Sequence, residues 1–276
     1  MRRIAVVLAL VLAACGGGGG GDDPEAASSG SSSSTTSTTS EAADDATTST
    51  TDTPSTSTDA PGTTAAPSAG AAASAAAPAS AGPTPLAPGT YHYRQEGSTK
   101  VGADSYDAPP EGTSVADPPN ADGTQVIHRY IDPEGKPSDA TMRFGPDGIF
   151  MLETVVRAGG TEVRCTFDPP LATPAWPPTV GATSSGHGEC GAFTTDVTSE
   201  ITETRTVTLD GRSYDAVVVR STITTSGQFE STSSQVDWFV PELRLSTHTE
   251  TTSKGSFGAF TFESAGSSDL LSATPT

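Results

Sequence analysis

The chain has 276 residues, of which 33% are hydrophobic and only 6% aromatic, and it carries 29 Gly, 22 Pro and a formal charge of −19. That composition excludes one core running through the whole length. It also excludes nucleic acid and anionic lipid headgroups as direct partners, because the part from Thr84 onward sets 12 Lys and Arg against 25 Asp and Glu. All sixteen aromatic residues lie between Tyr91 and Phe262. A core is therefore confined to roughly 180 residues, enough for one domain that buries about 70% of its unfolded surface.

The N-terminus begins with a short basic stretch, Met1-Arg2-Arg3, followed by the apolar run Ile4 to Leu12. The run is shorter than the ~20 residues needed to cross about 30 Å of hydrocarbon, and it has the layout of a secretory signal. Leu12-Ala13-Ala14-Cys15 resembles the lipobox of bacterial lipoproteins. The resemblance implies a signal peptide over residues 1–14, cleaved before a diacylated Cys15, whose thiol is the nucleophile that accepts the lipid. It also implies a protein anchored on the extracytoplasmic face of a cell membrane. An ordinary secretory signal with a cysteine at its cleavage site is the alternative.

Residues 15–83 combine Cys15 with a Gly, Ser, Thr, Ala and Pro-rich tether. From Gly16 on it holds eight Asp or Glu, no Lys or Arg and no aromatic residue. Such a segment buries too little to offset the entropy of ordering its backbone, so disorder is expected. Its rms span is roughly 45 Å. Ser and Thr with Pro also fit an O-glycosylated stalk; an unmodified spacer fits equally well.

The β domain is expected over residues 84–265, with a disordered tail at 266–276. A first strand starts at Tyr91, and the Pro, Asp and Gly-rich stretch from Gly102 to Gly123 suggests an irregular loop. Gln125 to Asp132 forms a second strand. Asp139 to Phe144 and Ile149 to Arg157 flank Gly145-Pro146-Asp147-Gly148, a hairpin signal. Thr161 to Phe167 is extended; the five prolines between Asp168 and Thr179 place that stretch outside a sheet, as a crossover carrying Trp176. From Val197 to Thr252, long Thr, Val, Ser and Ile runs are broken at Asp210-Gly211, Ser226-Gly227 and Pro241-Glu242. That is a meander of antiparallel strands. Val217, Val219 and Ile223 alternate with Tyr214, Val218 and Arg220, giving one apolar face. The fold class is all-β: a single antiparallel meander sheet, curved or a half-open barrel, of about ten strands, preceded by a long disordered linker.

Chemistry is sparse. Cys165 and Cys190 are expected to pair as a disulfide in an exported chain, with two separately buried thiols as the alternative. The bridge would contribute roughly 3 kcal/mol. His187 and Glu189 beside these cysteines lack paired zinc-ligand spacing, so no metal is expected. No Gly-x-Ser-x-Gly elbow or phosphate-cradling Gly loop occurs, and no catalytic residue or cofactor is assigned. Trp176 and Trp238 are either the lining of a ligand cleft or core anchors.

Cys165-Thr-Phe-Asp-Pro-Pro with its Pro-rich crossover, and the run Asp237 to Leu245, resemble uncharacterised actinobacterial lipoproteins of the β-sheet type. More loosely, the meander is similar to lipoprotein carriers of the Lol pathway and related mycobacterial envelope lipoproteins, which implies a curved, half-open barrel with an apolar cavity. No amphipathic helical period supplies the lid of those carriers. Three functions follow in order: a non-catalytic binding or envelope-structural module; a carrier of a lipid or other apolar ligand in the concave face; and a hydrolase with a spatially assembled site. The partners expected are the membrane, through the lipid anchor, and a lipid or cell-envelope component.

Overall fold

Asp210 and Gly211 show how the chain builds its sheet. Their φ values of 53° and 75° are both left-handed, as a two-residue hairpin loop matched to strand twist requires. They join β9 (Phe193–Leu209) to β10 (Arg212–Gly227). The computed structural model describes residues 82–130, 135–158 and 161–276. The expected signal peptide, Cys15 and all but the last two positions of the expected tether lie outside them.

The remaining strands are β1 (Gly89–Val101), β2 (Asp104–Asp107), β3 (Glu111–Ala116), β4 (Thr124–Tyr130), β5 (Ser138–Gly145), β6 (Gly148–Ala158), β7 (Thr161–Ala172), β8 (Thr183–Glu189), β11 (Glu230–Val240), β12 (Leu245–Phe257) and β13 (Phe260–Leu270). Among the described residues there is no helix. From β3 to β13 each strand pairs antiparallel with the next, and β3 also pairs with β1. The expected hairpin at Pro146-Asp147 is present, with Gly145 opposite Gly148.

The sheet closes. Tyr93 to Val101 of β1 pairs with Leu270 to Phe262 of β13, so twelve strands form a complete barrel and β2 adds to β1 beyond the end of β3. This corrects the half-open form expected from sequence. Closure depends on Gly97 (φ 147°), where a Cβ would lie 2.4 Å from the Ala265 carbonyl oxygen and 2.5 Å from Gly266 Cα. It also corrects the disordered tail: residues 266–270 are strand, and Thr276 exchanges backbone hydrogen bonds with Thr90 in both directions at 3.0 Å.

The loop expected at 102–123 contains β2 and β3. Gly112, Ser114 and Ala116 of β3 face inward and are small, so no apolar alternation marks them. Pro169 and Pro170 lie in a register shift of β7, between the Met151–Leu171 and Glu153–Thr166 pairs. The crossing outside the sheet is limited to residues 173–182.

The barrel is charged outside and mixed inside. Asp196, Glu200, Arg220, Glu250 and Lys254 all project outward and are exposed, the reverse of a barrel that meets lipid through an outer apolar band. Inside, the two halves differ. The inner positions of β5, β6, β7, β9 and β10 include Met142, Ile149, Leu171, Ile201 and Ile223, whereas β8 presents Gly186 and Gly188. Those of β1 and β11 to β13 include Gln95, Thr99, Ser233, Thr251, Ser253 and Ser268, all buried. Ser253 Oγ donates to Ser233 Oγ at 2.7 Å, which satisfies hydroxyls that would otherwise cost desolvation.

Both ends are covered. At one, Phe229 stacks on Phe262 (5.5 Å, 6°) and tilts against Phe193 (6.1 Å). At the other, residues 82–88 cross the rim as a strap. Leu86 is 4% exposed; its N–H donates to Gln125 Oε1 at 2.9 Å, and Gln125 Nε2 donates to the Leu86 carbonyl at 3.0 Å. Arg244 Nη1 donates to Thr84 Oγ1 at 2.9 Å. Replacing Gln125, which is 0% exposed, by Leu leaves the Leu86 polar groups unpaired. The expected cost is about 2 kcal/mol, with faster amide exchange across 84–88; unchanged exchange there would contradict the strap's dependence on Gln125.

Candidate functional site

Inside the barrel the lumen keeps a cavity of about 270 Å³. Eight strands make a ring that side chains just fill, and twelve make a wider one. Here the filling stops short. The cavity lining mixes the apolar Ile127, Met142, Ile149, Val219, Ile223 and Phe239 with the polar Tyr93, Ser114, Arg129, Gln235, Asp237 and Thr249, and β4 and β11 contribute to both sets. A larger groove of about 660 Å³ runs over the outer surface past Lys100, Lys254 and Glu263. It is open to solvent and encloses nothing.

Two acids, Asp237 and Asp139, border the lumen. Thr249 Oγ1 donates to Asp237 Oδ1 at 2.7 Å and Gln235 Nε2 to Asp237 Oδ2 at 2.5 Å. Burial pushes its pKa up, against hydrogen bonds from Thr249, Gln235 and Ser246 and the charge of Arg129. Burial likewise raises Tyr93, opposed by Arg129 and by a hydrogen bond with Ser114. Asp139 is different. Burial works against its charge, but His128 Nδ1 (2.7 Å) and Arg157 Nη1 (2.5 Å) bond its two oxygens and together hold its pKa down.

A folded pKa above the ordinary carboxylate value means that the folded chain holds the Asp237 proton more tightly than the unfolded chain. Stability from this group is intact below that ordinary value and is lost as pH rises from it through the folded pKa. Asp237→Asn keeps the shape and removes the titration. The thermal midpoint of the parent chain is expected to fall, relative to that of the variant, as pH rises from about 4; parallel pH profiles would contradict this.

Three of the four histidines have both ring nitrogens on carboxylates. His128 meets Asp139 and Asp117, His187 meets Asp196 and Glu189, and His248 meets Asp269 and Glu250, at 2.7 to 3.3 Å. A ring held this way has no nitrogen left to take a proton from a serine hydroxyl. His92 Nε2 lies 3.2 Å from Thr276 Oγ1 on the surface.

The two tryptophans do not line the cavity, which corrects the cleft reading. Trp238 faces outward because its neighbours Asp237 and Phe239 face in. Arg205 lies 4.1 Å over its ring, and the His248 ring packs on it at 4.3 Å. The His248 side chain is only 14% exposed. Trp176, on the crossover, packs its Cβ 3.1 Å from where a Cβ on Gly148 would be.

Cys165 and Cys190 are joined in a disulfide, which removes both as metal ligands. Among the described residues no group of three or more His, Cys, Asp or Glu is placed to hold a metal ion. Cys15 lies outside the described residues. The lumenal Tyr93, Arg129, Asp237 and Arg244 were not singled out from sequence. The available signal was parity: Ser231, Ser233, Gln235, Asp237 and Phe239 share one side of β11, so an inward Phe239 brings Asp237 with it.

No known protein family matches the sequence, and no curated protein does. Two solved structures are similar in shape. One is a putative exported protein with a YmcC-like fold from Bacteroides fragilis NCTC 9343, at 14% identity and a TM-score of 0.42, covering 70% of this chain and 98% of that one. The other is the hypothetical lipoprotein YmcC from Escherichia coli K12, at 11% identity and a TM-score of 0.31, covering 63% and 86%.

Proposed function

We propose that this chain is a membrane-anchored, extracytoplasmic, non-catalytic binding module whose site is the lumen of the barrel. The observation that carries the reading is the lumenal cavity of about 270 Å³, lined mainly by apolar side chains with a few polar groups among them. It lies just below the roughly 300–1,000 Å³ usual for small-molecule sites and has their mix of apolar lining and a few convergent polar groups. The anchored location is supported by the Leu12-Ala13-Ala14-Cys15 sequence and by the disulfide, which suits an oxidising compartment. A carrier of long-chain lipid is the second reading; the cavity volume and the two covered ends weigh against it.

Native mass spectrometry of the full chain, extracted gently from membranes of a lipoprotein-processing bacterium, tests the reading. A 1:1 adduct of a small molecule that leaves on denaturation is expected, on a protein whose N-terminus is an acylated Cys15. Protein that is free of any adduct and gains no thermal stability from any amphiphile would overturn it.

A further inference from the structure

We infer that His128 is a proton-operated latch: charged, it holds the 82–88 strap over the lumen at Leu86, and neutral, it lets that point lift. The inference concerns access and holds whatever the lumen takes. His128 lies on the outer face of β4, with Nδ1 2.7 Å from Asp139 Oδ1 and Nε2 3.1 Å from Asp117 Oδ2. An ionised carboxylate only accepts hydrogen bonds, so both ring nitrogens must donate and the bridge exists only with the imidazolium. A neutral ring keeps one proton and one carboxylate. Asp139 is the one kept, because its side chain is 17% exposed and would lose a bond that water cannot replace, whereas Asp117, at 46%, turns to solvent.

Asp117 also anchors the middle of the strap through its backbone. Its N–H donates to the Val126 carbonyl at 3.0 Å, and its carbonyl accepts from Gln125 Nε2 at 2.7 Å. The same Gln125 amide bonds both backbone groups of Leu86, whose side chain is buried and borders the cavity. The contacts therefore run from His128 through Asp117 and Gln125 to Leu86. Tyr91 Oη donates to the Ala87 carbonyl at 2.9 Å and Arg244 Nη1 to Thr84 Oγ1, so the flanks of the strap stay down while Leu86 lifts. Behind Asp139, Arg157 of β6 and then Glu162 of β7 continue the charge series. Tyr130 is next along β4 on the same face, and Glu111 and Arg143 lie on that face beyond Val115 and Asp139, the two residues paired with His128. Burial works against the charged ring, but the hydrogen bonds and charges of Asp139 and Asp117 outweigh it and raise its pKa. The tie is therefore complete below the ordinary histidine value of about 6.5 and is lost as pH rises through the folded value.

Hydrogen exchange at the Leu86 amide tests this on the full chain carrying Cys15→Ser, which leaves it unlipidated. Rates are corrected for intrinsic exchange and followed from about pH 5.5 to about 8.5, either side of the histidine range. Protection of Leu86 is expected to fall about tenfold across that range, for the loss of one charge-assisted bond. His128→Gln does not titrate and donates to one carboxylate only, so low and flat protection is expected. Asp117→Asn keeps the carbonyl that holds Gln125, and its amide pairs with either form of the ring; high protection at every pH is expected. His187→Gln removes the carboxylate bridge on β8 and β9 and is expected to keep the parent profile. A flat profile in the parent, a pH dependence that survives in His128→Gln, or one that His187→Gln abolishes would overturn the latch.

Discussion

Removing the Cys165–Cys190 disulfide is expected to cost about 3 kcal/mol and to open the barrel at one particular seam. Every other junction of the ring is held by a longer ladder, but β7 and β8 pair only at Thr166–Glu189 and Phe167–Gly188. The cysteines occupy the next position of that register, with Cα atoms 4.1 Å apart and a sequence separation of 25. The covalent bond thus extends a ladder too short to hold on its own, next to a stretch where Pro169 and Pro170 donate no hydrogen bonds. In the Cys165→Ser, Cys190→Ser double variant the thermal midpoint is expected to drop by about 10 °C, at 2–4 °C per kcal/mol for a domain of this size. Amides of β7 and β8 are expected to exchange ahead of those of β9 to β12. A midpoint within about 2 °C of the parent, or uniform exchange, would contradict the assignment of this seam as the weak one.

Phe229→Ala is expected to be at least as damaging, at about 3–5 kcal/mol. Phe229 is 1% exposed although it sits at the turn between β10 and β11, where side chains are usually wet. It is buried because the turn folds its ring into the barrel end, between Phe193 and Phe262. Truncation removes the middle of a three-ring plug and opens the lumen to water from that side, where Thr225 and Ser231 are buried. Chemical denaturation gives the measurement: a midpoint shift corresponding to less than about 1 kcal/mol would show that this end is not sealed by the rings. Phe229→Leu, which refills most of the volume, is expected to recover a large part of the loss.

Much of the chain's architecture was legible because its punctuation is local. Asp210-Gly211 and Gly145-Pro146-Asp147-Gly148 announce their hairpins through backbone chemistry that needs no tertiary context, and the long Thr, Val and Ser runs of β9 to β12 leave little room for helix. The confinement of aromatic residues to positions after Tyr91 likewise located the folded part. What the sequence hid was the far side of the ring. Closure joins β1 to β13 across most of the domain, and no local signal reports a pairing so distant. The closing strand also continues through Ala265, Gly266, Ser267 and Ser268, which resemble a frayed end in composition. They lie in strand because the polar half of the lumen takes small inward residues in place of large apolar ones.

The candidate site was hidden for a related reason. In a barrel this wide the inner face need not be apolar, so Gln235, Asp237 and Thr249 point inward while the conspicuous Trp238 points out. Of the two readings of the tryptophans, the cleft lining would invert the parity of β11, whereas both pack against the core as anchors. Arg129 and Arg244 carry no motif around them. Arg129 lies between His128 and Tyr130, and which of the three faces in follows from the pairing of β4 with β3 and β5.

The most direct test of a closed barrel that binds in its lumen is a methyl-labelled nuclear magnetic resonance titration of the full-length Cys15→Ser chain with octanoate. A lumenal site is expected to shift the methyls of Ile127, Met142, Ile149 and Ile223 together, with a single saturation curve, and to leave those of the exposed Val180 and Leu271 where they were. Shifts on Val180 and Leu271 with the interior methyls unmoved would contradict it.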